Sequence, residues 1–167
     1  MLILALGLIA VVATFGLREG GGIERHSGFA HGREAQWSAA VDVAARHPLV
    51  GAGAEAYYGA SLDEQGRSPV LYAHSLPLEV AAELGIAGLA ALAAMLAGVG
   101  RALHAARRAP AFWLLAPGVL ALPLASLVDW SWHLAGVGAL WALALGALLA
   151  TADRDAERYP VGGGGGA

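Results

Sequence analysis

Residues 78–100 read LEVAAELGIAGLAALAAMLAGVG, and this stretch decides the fold class. After Glu83 it runs without a charged residue to Gly100. A bilayer core of about 30 Å is crossed by roughly 20 apolar residues in a helix, so the stretch predicts a membrane span. Glu79 and Glu83 fall in its first turns, where the helix dipole favours carboxylates, and Ser75 stands ahead of it as the expected N-cap.

Working outward, two further apolar runs follow, 111–128 and 134–150. Between them Asp129, Trp130, Ser131, Trp132 and His133 form a short polar and aromatic turn of the kind that suits a membrane interface. At the other end Met1 to Leu17 is uncharged and slightly short for a span. It has neither a basic leading region nor a small-x-small cleavage site before Arg18, so it reads as a span rather than a signal peptide. The expected architecture is all-α and polytopic. About four transmembrane helices are expected, with a large external loop holding an amphipathic helix. The expected divisions are a first span at 1–17, the loop at 18–77, a three-helix bundle at 78–150 and a disordered cytoplasmic tail at 151–167. That tail ends in five consecutive glycines, Gly162 to Gly166.

Composition agrees. Hydrophobic residues make up 57% of the chain and charged residues 14%, with mean hydropathy +0.59, whereas soluble domains carry about 25% charged residues. The net charge of −3 shows no basic excess, which argues against nucleic acid as a partner. Cysteine and lysine are both absent. This excludes disulfides, thiolate metal sites, a cysteine nucleophile and a lysine Schiff base.

Arg101, Arg107 and Arg108 crowd one short loop, which the positive-inside rule places in the cytoplasm. Both termini are then cytoplasmic, and 18–77 and 129–133 face outward. The loop opens on Gly20, Gly21 and Gly22, a flexible exit from the membrane. Within it, Arg33 to Arg46 predicts an amphipathic helix with Trp37, Val41 and Ala44 on one face. Pro48 ends it, because the residue before a proline is pushed out of the helical region.

Three residues on the external side are candidates for chemistry. His74 precedes the span at 78–100. It reads either as a capping or interface residue, or as an imidazole able to accept a proton from a sugar hydroxyl. Arg33, one turn before Trp37, is either a solvated arginine or a guanidinium gripping phosphate oxygens in a bidentate fork. Asp129 closes an apolar run. An ionisable group at membrane depth points to function, although at the interface its cost is small.

Weaker features read as structure. His26 and His31 fit no common metal-ligand spacing, and Gly51-Ala52-Gly53 lacks the context of a dinucleotide loop and reads as a turn. Tyr57 and Tyr58 read as packing or interface aromatics, and Gly85 and Gly88 as small residues for close helix packing. No Gly-x-Ser-x-Gly motif is present.

Taken together, Arg33-x-x-x-Trp37, then His47-Pro48-Leu49-Val50-Gly51-Ala52-Gly53, then Ala73-His74-Ser75 with nine residues to Gly85-x-x-Gly88, resemble the O-antigen ligase/polymerase superfamily. Its members carry an arginine and a tryptophan in a large external loop, followed by a His-[Asn/Ser/Gln]-x9-Gly-x-x-Gly signature entering the next span. Asp129-Trp130-Ser131-Trp132 is similar to a late-span motif of GC-rich, actinobacterial-type members. The resemblance covers roughly residues 33–150.

It implies a glycosyltransferase of the bacterial inner membrane, with its active side external. The donor would be a glycan on polyprenyl pyrophosphate, and the acceptor a hydroxyl on a lipid or a growing glycan. Arg33 would bind the pyrophosphate with Trp37 beside it, His74 would orient or deprotonate the acceptor, and Asp129 would order the site. No cofactor, metal or nucleotide is implied. Members have around ten to twelve spans, and a further external arginine comes from an earlier loop. The expectation is therefore a C-terminal part lacking an N-terminal half. Polymerase-like activity, and a non-catalytic membrane remnant or partner subunit, are the alternatives. A small transporter ranks last, because 84–100, 111–128 and 134–150 hold no ionisable residue.

Overall fold

The computed structural model describes residues 33–65 and 69–158, the side chains of 155–158 excepted. The expected first span at 1–17, the glycines at 20–22, His26, His31 and the glycines at 162–166 lie outside the described residues. The described chain is helical, with no strand among the described residues. Helix α1 is Arg33–Arg46, followed by the single turns α2 Tyr57–Ala60 and α3 Leu62–Gln65. Helix α4 spans Leu76–Ala106, α5 Phe112–Ala125 and α6 Ala135–Arg158, with a 3-10 turn at Ser131–His133 between the last two.

The chain forms two compact units. Among the described residues, one comprises 33–65, 69–95 and Ser126–Trp130, the other Leu96–Ala125 and 131–158. In the first unit α1 buries Ala39, Ala40 and Val43, with Trp37 and Val41 half-buried beside them. The predicted helix bounds hold, but the buried line is shifted from Ala44 to Val43. Ala40 and Val43 meet Tyr57, Ala73, Leu78 and Ala82 in one core. Arg46 ends α1, pairing with the Glu64 carboxylate and donating to the Ala60 carbonyl at 2.8 Å. The bond from Arg46 holds the Glu64 carboxyl below its ordinary range and raises the guanidinium further above its own. An exposed pair of this kind contributes little on its own.

Helix α4 is interrupted at Gly85, where φ is 61° and ψ −153°. A break in an apolar helix strands backbone groups that lipid cannot satisfy, and here residues 48–53 take their place. In an unbroken helix Ile86 and Ala87 would donate to the carbonyls of Ala82 and Glu83. Instead they donate to Pro48 and Leu49, at 2.9 and 3.2 Å. The two vacated carbonyls accept from Ala52 and Gly53, each at 2.9 Å. The inserted loop thus replaces two helical bonds with four. The turn expected at Gly51-Ala52-Gly53 lies just before it, at 48–50, and the stretch itself bends at Ala52, with φ of 70° at Gly51 and 117° at Gly53. Gly85, by contrast, admits a loop backbone rather than a neighbouring helix.

The second unit packs Val99 and Ala106 of α4 with Val119 of α5 and Leu148 of α6. Pro123 has no N–H to give the Val119 carbonyl four residues back. The Trp141 indole N–H takes that carbonyl at 2.8 Å. Among the described residues α4 and α6 are long and apolar enough to cross a membrane, and α5 is a shorter apolar helix. Helix α5 ends at Ala125 rather than at the expected 128, and the Ser126 carbonyl accepts from Leu76 N–H at 2.8 Å. Helix α6 runs to Arg158 and so takes in the first eight residues of the expected disordered tail.

Candidate functional site

The segment from Tyr72 to Leu76, leading into α4, is held at each step. The Tyr72 ring stacks on Trp130, with centroids 5.9 Å apart and planes within 5°. Ala73 N–H donates to the Glu79 carboxylate at 2.9 Å, and Leu76 N–H to the Ser126 carbonyl. Between these points His74 takes a left-handed backbone, φ 54°. For a residue with a side chain that conformation persists only where its surroundings impose it.

The His74 ring is half-buried, and its Nδ1 lies 3.0 Å from the Tyr72 carbonyl oxygen. A carbonyl only accepts, so this contact calls for the proton on Nδ1. Nε2 of the neutral ring then keeps its lone pair and is the nitrogen that can take a proton.

Two glutamates one turn apart on α4 grip the loops around this segment. Glu79, 4% exposed, holds Ala73. Glu83 accepts from Glu55 N–H and Tyr57 N–H, each at 3.0 Å. The described non-glycine residues with left-handed φ are Glu55, at 60°, and His74. Glu83 grips the amide of Glu55 itself, and Glu79 the amide just before His74. In the sequence both carboxylates read only as partners of the helix dipole.

Tyr57 is the hub of the loop. It is 1% exposed, and its hydroxyl donates to the Gln36 carbonyl of α1 at 2.9 Å. Burial pushes its phenol up to about 12, with the Glu79 charge adding to the rise against a hydrogen bond from Ser61. The reading of Tyr57 as a packing aromatic holds, while Tyr58 is 39% exposed.

Arg33 is the first residue of α1 and half-buried. One turn on, Trp37 packs against the core that includes Ala73, the neighbour of His74. Asp129 is half-buried, and its Oδ1 accepts from Trp130 N–H at 2.6 Å. One unit therefore contains the Arg33–Trp37 helix, the His74 segment and Asp129. An apolar groove lined by Leu122, Leu140 and Trp141 belongs to the other unit and includes none of these residues. No cluster of three or more potential metal ligands occurs among the described residues. Sequence reasoning did not single out Tyr72, whose spacing from Trp130 carries no local signal.

The described unit thus joins an apolar helix broken at Gly85 to a histidine held in a left-handed backbone just ahead of that helix. The O-antigen ligase family model matches residues 1–93, more than half of the chain, and the chain belongs to that family. This is a family of membrane proteins of the O-antigen ligase/polymerase glycosyltransferase type, which implies lipid-linked glycan substrates. The match takes in Arg33, Trp37 and His74 and stops before Asp129. No curated protein and no solved structure matches the chain.

Proposed function

We propose that the chain transfers a glycan from a polyprenyl-pyrophosphate carrier to a hydroxyl acceptor on the external side of the bacterial inner membrane. It would span the bilayer about four times, with both termini in the cytoplasm. The observation that carries the mechanism is the His74 contact with the Tyr72 carbonyl, which leaves Nε2 as the basic nitrogen. The acceptor oxygen attacks the anomeric carbon as its proton passes to Nε2. The bond from that carbon to the pyrophosphate oxygen breaks, and polyprenyl pyrophosphate leaves with the electron pair. Arg33 grips the phosphate oxygens in a planar fork and offsets the charge of the leaving group, with Trp37 fixing its helix. Asp129 orders the segment beside Trp130. Polymerase-like transfer to a growing glycan would use the same chemistry with a different acceptor.

The test is His74→Ala in the native chain, assayed with lipid-linked glycan extracted from cells lacking the protein. Transfer should fall by about 10²–10⁴-fold, as expected for loss of a general base, while the extracted donor still binds. A mutant that no longer binds the donor would make His74 a structural or phosphate-contacting group. A fully active mutant would remove it from the chemistry altogether.

A further inference from the structure

We propose that Glu79 is a positioning residue for His74, acting through the backbone of Ala73. The inference rests on the reading of His74 as the acceptor's base and adds the device that aims it. Glu79 sits on the fourth residue of α4 and is 4% exposed, a depth at which a carboxylate needs partners. Its Oε2 accepts from Ala73 N–H at 2.9 Å, a bond the structure buries. The next residue is His74, whose φ of 54° sets the direction in which the imidazole leaves the chain.

A left-handed non-glycine residue relaxes toward ordinary backbone when its flanking bonds are released. On the C-terminal side the restraint is Leu76 N–H on the Ser126 carbonyl, at 2.8 Å. On the N-terminal side the hydrogen bond nearest His74 is the one to Glu79, beyond which the Tyr72 ring stacks on Trp130. The Nδ1 contact with the Tyr72 carbonyl, which sets the tautomer, depends on the same local turn. Losing the Glu79 bond therefore frees both the aim of the ring and the nitrogen that carries its proton. Misplacing a reacting group by about 1 Å costs on the order of 10²-fold in rate.

What the role requires is an acceptor oxygen at this reach, not a charge. Glu79→Gln keeps the oxygen. Glu79→Asp keeps the charge but withdraws it by one methylene, and Glu79→Ala removes both. With lipid-linked glycan extracted from cells lacking the protein, Glu79→Ala and Glu79→Asp should lower kcat about 100-fold. KM for the extracted donor should stay within about 2-fold, and Glu79→Gln should stay within about 3-fold of the parent in kcat. Combining Glu79→Ala with His74→Ala should be no worse than His74→Ala alone, because coupled residues do not add.

A Gln variant as impaired as Ala, full activity in Glu79→Ala or Glu79→Asp, or additive losses in the double variant would each overturn the proposal. Should Glu79→Ala fail to accumulate, the contrast between Asp and Gln decides. Failure of all three to accumulate would make Glu79 purely structural. If His74→Ala is inactive while Glu79→Ala is normal, only this proposal falls. If His74→Ala is itself active, the reading of His74 falls and takes the proposal with it.

Discussion

Gly51 and Gly85 occupy a contact that neither could make with a side chain. A Cβ on Gly85 would lie 2.7 Å from the Gly51 nitrogen, and one on Gly51 would lie 2.0 Å from the Glu83 carbonyl carbon. Both have left-handed φ, 61° and 70°. The broken helix and the loop that fills the break are thus one interlocked structure, and the His74 segment enters the same helix nine residues before it.

Gly85→Ala should therefore destabilise the protein by about 3 kcal/mol or more, through backbone strain and the collision together. Gly98 lies in the same helix with nothing within 4 Å of its Cβ position. Gly98→Ala should be neutral or stabilise by up to about 1 kcal/mol. Thermal unfolding in detergent separates the two, and equal effects would show that the contact does not matter.

Tyr57 gives a prediction in pH. Its folded phenol is raised to about 12 from an ordinary value of 10, so the folded state holds the proton more tightly than the unfolded chain. Its stabilisation is fully present below pH 10 and is lost as the pH rises from there through 12, by about 2 kcal/mol. Chemical denaturation across this window should show the decline, and Tyr57→Phe should flatten it. An unchanged slope in Tyr57→Phe would assign the decline to other groups.

Much of this was legible in the sequence, and what was missed shares one physical cause. The bounds of α1 followed from a local stop at Pro48, and the apolar run of α4 followed from its length. The break at Gly85 did not, because Gly85-x-x-Gly88 in an apolar run reads equally well as helix packing. What distinguishes the two is the arrival of residues 48–53, a contact between segments more than 30 residues apart. Glu79 and Glu83 were legible as helix-start carboxylates. Which loop amides they accept from is set by the return of 55–57 and 73, again a long-range fact. Arg33, His74 and Asp129 stand out in the sequence by residue type and enter the site as proposals, whereas the bond fixing the His74 tautomer depends on a left-handed turn that composition does not announce.

Topology can be probed because the chain has no cysteine. Gly59 has open space at its Cβ position, and Ala105 is exposed near the end of α4. In intact cells an impermeant thiol reagent should label Gly59→Cys and leave Ala105→Cys unlabelled until the membrane is opened. This follows from the proposed topology, in which Arg101, Arg107 and Arg108 beside Ala105 mark the cytoplasmic side. The reverse pattern would put Arg33 and His74 in the cytoplasm, away from an external donor.

The last prediction concerns Arg33. It begins α1, whose Trp37 is packed on the core holding Ala73, so a change at residue 33 alters the head of a helix that remains anchored one turn later. Arg33→Lys keeps the positive charge but loses the planar fork that meets two phosphate oxygens at once. Truncating one partner of a hydrogen-bonded charge pair costs about 2–5 kcal/mol. Retaining the charge should recover part of that, so a loss of about 10- to 100-fold in kcat/KM for the extracted lipid-linked glycan is expected, with normal accumulation. Arg33→Ala should be worse, and both losses should shrink little when salt is raised, because a bidentate contact is less screened than a diffuse field. Equal activity in Arg33→Lys and the parent would reduce Arg33 to a generic positive charge. Full activity in Arg33→Ala would make it a solvated residue at the end of a helix.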